Sequence, residues 1–295
     1  MDGIRAYAFY GEDDDPQQEE ILHCETLRAR SVLHDWRFRP HRHYGMHQFF
    51  WIGNGRGVAS IEGADHPIGP RTAISMPAMA VHGFVFQPGI EGWVVTIPAA
   101  NLERILAISN IVASRLAAPV IFTAASSAEP VFAQIAGEYA SFTPEREQAL
   151  TSLAGLLAVW FAREIARAPH HASAAPDKGR ELVLRFIRRI EEELRRHLPV
   201  AGYASALGVT PTHLTRLCRR IAGRSASALI YDRLALEARR QLIYTARPVS
   251  EIAYDLGFQD PAHFAKFFRR QTGQSPMQLR AAVGHAGTWA RAGKG

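Results

Sequence analysis

Two hydrophobic rhythms divide this chain. From about residue 21 to 98, short apolar runs (Ile21-Leu22, His47–Ile52, Val58–Ile61, Ala73–Ser75, Phe84–Phe86, Trp93–Ile97) alternate with turn sequences such as Gly53-Asn54-Gly55, Glu62-Gly63, Gly69-Pro70 and Gln87-Pro88-Gly89. Closely spaced short strands with this punctuation predict a small antiparallel β-barrel or jelly roll. From Ala99 the period becomes helical, with candidates at Asn101–Ser109 and Ala128–Ser141. A long helix is predicted to start at Thr143-Pro144-Glu145 and to carry Leu150, Leu153, Leu156, Leu157, Trp160, Phe161 and Ile165. Its apolar stripe is broad enough to pack on its own barrel or on a second subunit. Residues 180–197 form a further amphipathic pattern, with Leu182, Phe186, Ile187, Ile190 and Leu194 facing inward.

Beyond that helix the pattern repeats itself. Thr210–Ser225 and Asp260–Ser275 align with an offset of fifty residues, so that Pro211, His213, Arg219, Arg220, Gly223 and Ser225 recur as Pro261, His263, Arg269, Arg270, Gly273 and Ser275. Each copy opens on a capping side chain followed by proline and closes on glycine. Between these runs an apolar stripe, Leu214, Leu217, Cys218 and Ile221 in one copy and Phe264, Phe267 and Phe268 in the other. The opposite face keeps the basic side chains. A short helical pattern ending in glycine precedes each copy, at Tyr203–Gly208 and Glu251–Gly257. Helix, glycine turn and capped second helix make a helix-turn-helix, whose second helix enters the DNA major groove. Leu229–Leu242 is the helix joining the two modules.

The last hundred residues resemble the AraC/XylS family of bacterial transcription regulators. The likeness rests on Ala204, Leu207-Gly208-Val209-Thr210, His213-Leu214, Arg216, Arg233-Leu234, Ala238-Arg239, Glu251-Ile252-Ala253, Leu256-Gly257-Phe258, His263-Phe264, Phe268-Arg269-Arg270, Gly273–Pro276 and Arg280. One departure is Ala201-Gly202-Tyr203, where the family carries acidic and leucine residues. The resemblance implies that Thr212, Thr215 and Arg216 face base edges in the first module, with Arg220 beside them and His213, a further DNA-contact candidate, turned toward the backbone or inward. Gln259, Ala262, His263, Lys266 and Arg270 are the corresponding residues of the second.

Charge sharpens the division. The net charge of +6 on 295 residues conceals a basic C-terminal part, where residues 180–295 hold 20 Lys and Arg against 9 Asp and Glu, and a mildly acidic remainder. A polyanion-binding domain tethered to one that is not fits this asymmetry. The expected organisation is a flexible N-terminus (1–20), a β-rich effector-binding and dimerisation domain (21–168), a linker (169–179), a DNA-binding domain (180–283) and a flexible tail (284–295). No uninterrupted apolar run is long enough for a membrane span. The two cysteines, Cys24 and Cys218, fall in different domains and read as reduced thiols of a cytoplasmic protein.

The N-terminal chemistry centres on His41-Arg42-His43, with Gln48 five residues beyond and His82 later. Alternate residues of a strand project to one face, so the His-x-His pair can converge with a third imidazole. The pattern resembles metal-binding cupins, but Gln48 stands where their carboxylate is expected. An iron site of the 2-His-1-carboxylate kind needs that anionic oxygen. No metal or other cofactor is therefore expected, and no enzymatic activity, although His41, His43 and His82 remain a possible metal set. The favoured alternative is a pocket for an organic effector. Arg39, His41, Arg42 and His43 would meet a carboxylate, with Gln48 and His82 also lining the site, and Trp51, Phe49, Phe84 and Phe86 would wall a flat ring. His41–Gly55 with Val81–Phe84 resembles the sensor domain of regulators of aromatic-acid catabolism in the same family, of the 4-hydroxybenzoate-responsive PobR type, which implies a hydroxylated aromatic acid as inducer.

The sequence predicts an α+β protein of two domains, and the resemblances imply a ligand-responsive regulator, an activator, with duplex DNA, a small aromatic carboxylate and RNA polymerase as partners. It would form a homodimer through the N-terminal domain and use no membrane. The alternative is a metal-binding, dioxygenase-like cupin enzyme fused to a DNA-binding module.

Overall fold

The computed structural model describes residues 5–7, 21–107, 109–167, 172–173 and 178–281. The expected loose N-terminus, linker and tail lie mostly outside these residues, although short strands form at Arg5–Tyr7 and Ala172–Ser173. The chain separates into two compact units, Met1–Arg180 and Glu181–Gly295.

In the first unit the strands are β1 (Arg5–Tyr7), β2 (His23–Thr26), β3 (Arg37–His43), β4 (Met46–Asn54), β5 (Gly57–Ile61), β6 (Ala64–Ile68), β7 (Thr72–Met76), β8 (His82–Phe86), β9 (Glu91–Pro98), β10 (Val120–Thr123) and β11 (Ala172–Ser173). They do not close into one barrel. A five-stranded sheet runs β1-β3-β8-β5-β6 and a six-stranded sheet runs β11-β10-β7-β4-β9-β2. The pairings are antiparallel except β1 with β3.

Strand alternation sorts the apolar residues into two cores. Ala59, Ile61, Ile68, Phe84 and Phe86 of the smaller sheet meet Phe50, Ile52, Ile74, Met76, Val94 and Ile121 of the larger one. The other face of the larger sheet presents Phe49, Trp51, Ala73, Val95, Ile97, Val120 and Phe122 to a layer of helices. β4 is therefore buried on both faces, which is why it reads as a continuous apolar run.

That helical layer comprises α2 (Ala99–Leu106), α3 (Asn110–Arg115), α4 (Glu129–Ala140) and α5 (Arg146–Arg167). An additional helix, α1 (Leu27–Val32), interrupts the strands and is capped by Thr26, whose side chain accepts from the Ala29 N–H. The long helix begins later than the Thr143-Pro144 signal suggested, because Glu145 adopts a φ of 59° and Thr143 Oγ1 donates to Glu138 instead. By length and composition alone α5 could cross a membrane. Here its Leu150, Ala154, Leu157, Phe161 and Ile165 are buried in the core against the sheet, with the Phe161 ring 4.7 Å from that of Phe49. The face expected to serve either barrel or partner is thus occupied within its own domain; Leu156, 52% exposed, lies off that face.

The second unit is helical: α6 (Lys178–Glu193), α7 (Val200–Ala206), α8 (Pro211–Ala222), α9 (Ala226–Tyr244), α10 (Val249–Asp255) and α11 (Pro261–Thr272). Val183, not Leu182, joins Phe186 and Ile190 on the buried stripe of α6. α9 packs against α8, α10 and α11, so one continuous helix supports both modules. Arg233 of α9 ties it to α6, its Nε lying 2.6 Å from both carboxylate oxygens of Glu191 while Nη1 reaches Glu237 at 3.2 Å. Burial alone would lower the Arg233 pKa, but these carboxylates outweigh it and hold the charge.

Candidate functional site

The duplicated helices display their expected faces. In α8, Leu214, Leu217, Cys218, Ile221 and Ala222 are buried, and the Thr210 side chain accepts from the His213 N–H. In α11, Phe264, Phe267 and Phe268 are buried, and Asp260 accepts from the Ala262 N–H. Both helices end on a glycine in the left-handed conformation, Gly223 and Gly273. With the apolar face committed to the core, Thr212, Arg216 and Arg220 are left exposed on α8, and His213 and Thr215 half-buried. Gln259, Ala262, His263, Lys266 and Arg270 are exposed in the second module.

Local contacts refine this surface. Arg216 Nη2 lies 3.2 Å from His213 Nδ1. A guanidinium can only donate, so the imidazole accepts and steadies the arginine on the outer face instead of turning toward the backbone. Arg270 sits over the Tyr231 ring, 5.8 Å from its centroid, so a neighbouring helix shares in holding that cation.

The polar group in the first unit is built by an irregularity. β3 and β8 pair Phe38 with Phe84 and His41 with His82, a register shift that gives β3 one extra residue. Without it Pro40 would face His82. The bulge brings His41 there, and His43 follows by alternation. Gly83 permits the approach, since a Cβ at this position would lie 2.9 Å from the Phe38 carbonyl oxygen. Sequence reasoning found the three histidines but missed this device; its trace is Pro40 before His41 opposite a glycine.

His41, His43 and His82 are all buried, with candidate donor atoms within 4.8 Å of one another. Ring centroids are 4.4 Å apart for His41–His82, 5.1 Å for His41–His43 and 5.6 Å for His43–His82. His41 Nδ1 is 2.8 Å from the Arg39 carbonyl and His82 Nδ1 is 3.0 Å from that of Ala80. A carbonyl only accepts, so each Nδ1 carries a proton, and in the neutral ring this leaves the lone pair on Nε2. Burial pushes the His82 pKa well below its ordinary value, with His41 and His43 adding to the shift. Phe84 continues the same face, its ring 5.7 Å from His82 and stacked on Phe86 at 5.2 Å.

Four expected neighbours, Trp51, Phe49, Arg39 and Arg42, are elsewhere. Trp51 points to the helical layer, 5.9 Å from Trp160, and cannot wall a cavity between the sheets. Arg39 is exposed on its strand. Arg42 is buried, and burial lowers its pKa, but alternation turns it away from the face of His41 and His43. Gln48 shares the strand face of Phe50 and Ile52, and its amide donates to Thr96 Oγ1 at 3.1 Å. Both arginines expected to receive a carboxylate therefore lie off the imidazole face.

Comparison with known proteins agrees with this division. Residues 24–154 match the model of the AraC-like ligand binding domain, and residues 203–282 match a helix-turn-helix domain. Among curated proteins, the chain is similar to the HTH-type transcriptional regulator GlxA of Rhizobium meliloti (strain 1021), 34% identical over 40% of this chain and 37% of the relative. It is also similar to the Arabinose operon regulatory protein of Salmonella typhimurium, 29% identical over 29% of this chain and 30% of that one. These matches span about a third of each relative's length. Among solved structures, unsaturated fatty acid bound ToxT from Vibrio cholerae strain SCE256 aligns over 88% of this chain and 94% of its own, at 12% identity and a TM-score of 0.45.

Proposed function

Because this chain belongs to the AraC/XylS family, with an AraC-like ligand-binding domain ahead of its helix-turn-helix domain, we propose that it is a ligand-responsive, sequence-specific DNA-binding regulator of transcription, acting as an activator. The observation that carries the reading is the repeated module itself: two capped helices with buried stripes and matching exposed polar faces, braced by one helix. Arg216 offers the geometry suited to guanine O6 and N7. Lys266 is a more flexible donor, and Ala262 offers only methyl contact. The first module is accordingly the sharper reader. RNA polymerase would be the partner through which bound protein activates. A homodimer would double the contacts at paired sites through high effective concentration.

The effector is a small hydroxybenzoate-like aromatic acid taken up beside the histidine group, its ring against Phe84 and Phe86. It acts by binding one arrangement of the protein better than another. The alternative, a dioxygenase-like enzyme, is disfavoured by the donor set, because the candidate metal group contains three histidines and no carboxylate among the described residues. A reporter assay with hydroxybenzoates tests the proposal. Replacing His41 and His43 together by Ala should abolish induction while DNA affinity is unchanged. Full induction by the double variant would remove the histidines from the effector site.

A further inference from the structure

We propose that His41, His43 and His82 form a binding site for a divalent first-row transition-metal cation. The three rings come from two adjacent strands, and their candidate donor atoms lie within 4.8 Å of one another. Nitrogens bound tetrahedrally to one ion at about 2.0–2.1 Å lie roughly 3.3–3.4 Å apart, so the rings must draw slightly together to close on it. Two of the rings are already set for the task. The Nδ1 protons of His41 and His82 are given to the backbone carbonyls of Arg39 and Ala80. Metal-bound histidines are oriented in this way, the outer hydrogen bond fixing the tautomer and aiming the other nitrogen at the ion.

The alternative occupants of the space fit less well. His82 Nε2 is fully buried and finds no hydrogen-bond partner among the described residues, a cost that a donor or a cation would relieve. A carboxylate brings only further lone pairs. Imidazole nitrogens suit zinc, copper, nickel and iron, and select against magnesium and calcium, which prefer oxygen. Three protein ligands leave a coordination position for water or an exogenous group. With three neutral imidazoles the full dipositive charge of the ion is retained, which favours an anion there. On the effector reading above, on which this last point rests, the cation supplies the charge that Arg39 and Arg42 do not bring to this face.

The test uses the full-length, untagged protein, stripped with a chelator and titrated with Co2+. One Co2+ per chain is expected, with the intense visible bands of a low-coordinate, nitrogen-bound ion. His43→Asn and His82→Asn should each lower the affinity by more than the roughly 10–100-fold that loss of a ligand-orienting group costs. The weak spectrum of the hydrated ion with wild-type protein, or unchanged affinity in both variants, would overturn the proposal. Should a variant fail to fold, the wild-type spectrum decides alone. 4-Hydroxybenzoate is then added to the stripped and loaded forms. Tighter binding to the loaded form supports the cation as anchor, and equal binding to both forms overturns that role. Binding to neither, with Co2+ held, leaves the metal site standing and removes the aromatic-acid reading.

Discussion

Glu164 is 2% exposed, yet its carboxylate is ionised by design of its surroundings. It accepts hydrogen bonds from the Ala125 N–H at 2.7 Å, the Ser126 N–H at 3.2 Å, the Ser126 hydroxyl at 3.0 Å and Arg167 Nη1 at 3.1 Å. Burial would raise the pKa, but these donors outweigh it and hold the group below its ordinary 4.5. A depressed folded-state pKa gives stability that is present above the unfolded value and lost as pH falls through the folded one. Glu164→Gln keeps the shape but turns an amide N–H toward some of these donors. It should cost ~1–3 kcal/mol near neutral pH and flatten the acid limb of the stability curve. Urea denaturation of both proteins at a series of pH values checks this; parallel curves would show that Glu164 contributes no linked charge.

Among the elements, the two helix-turn-helix turns look alike in sequence and differ in space. Gly208 has a φ of +70° and Gly257 a φ of +87°, both in the region that costs other residues ~1–2 kcal/mol. A Cβ at Gly208 would meet nothing within 4 Å, whereas one at Gly257 would lie 2.0 Å from the Arg195 carbonyl oxygen. Gly208→Ala should therefore cost only the conformational amount, and Gly257→Ala markedly more. Denaturation midpoints of the full chain compare them, and equal losses would mean that the Arg195 backbone yields freely.

The same contrast marks what the sequence made legible. Local signals announced the helices of the DNA-binding half: Thr210-Pro211 and Asp260-Pro261 for their starts, Gly223 and Gly273 for their ends. Strand alternation in β3 and β8 likewise announced that His41, His43 and His82 could converge. Properties set by distant partners stayed hidden. Trp51 faces helices because β4 lies between two layers, and the bulge before His41 depends on Gly83 in another strand. Nor could periodicity decide whether α5 would cover its own sheet or another chain.

For the whole molecule, the charge asymmetry and the repeated module support the proposal that the C-terminal domain reads duplex DNA through two unequal helices. On that proposal, phosphate neutralisation by its basic residues would supply affinity without sequence, and the exposed faces of α8 and α11 would supply the preference. If Arg216 meets a base edge and Lys266 with Ala262 reads less, the target has a sharp half and a vague half. Their spacing would be about one helical turn, ~34 Å. Selection from randomised duplex DNA with the full-length protein, repeated with Arg216→Ala, measures this directly. The expected result is such an unequal pair, with the substitution costing ~1–3 kcal/mol and relaxing one position of the sharp half. No enrichment by the wild-type protein, or equal weakening of the variant on every sequence, would contradict it.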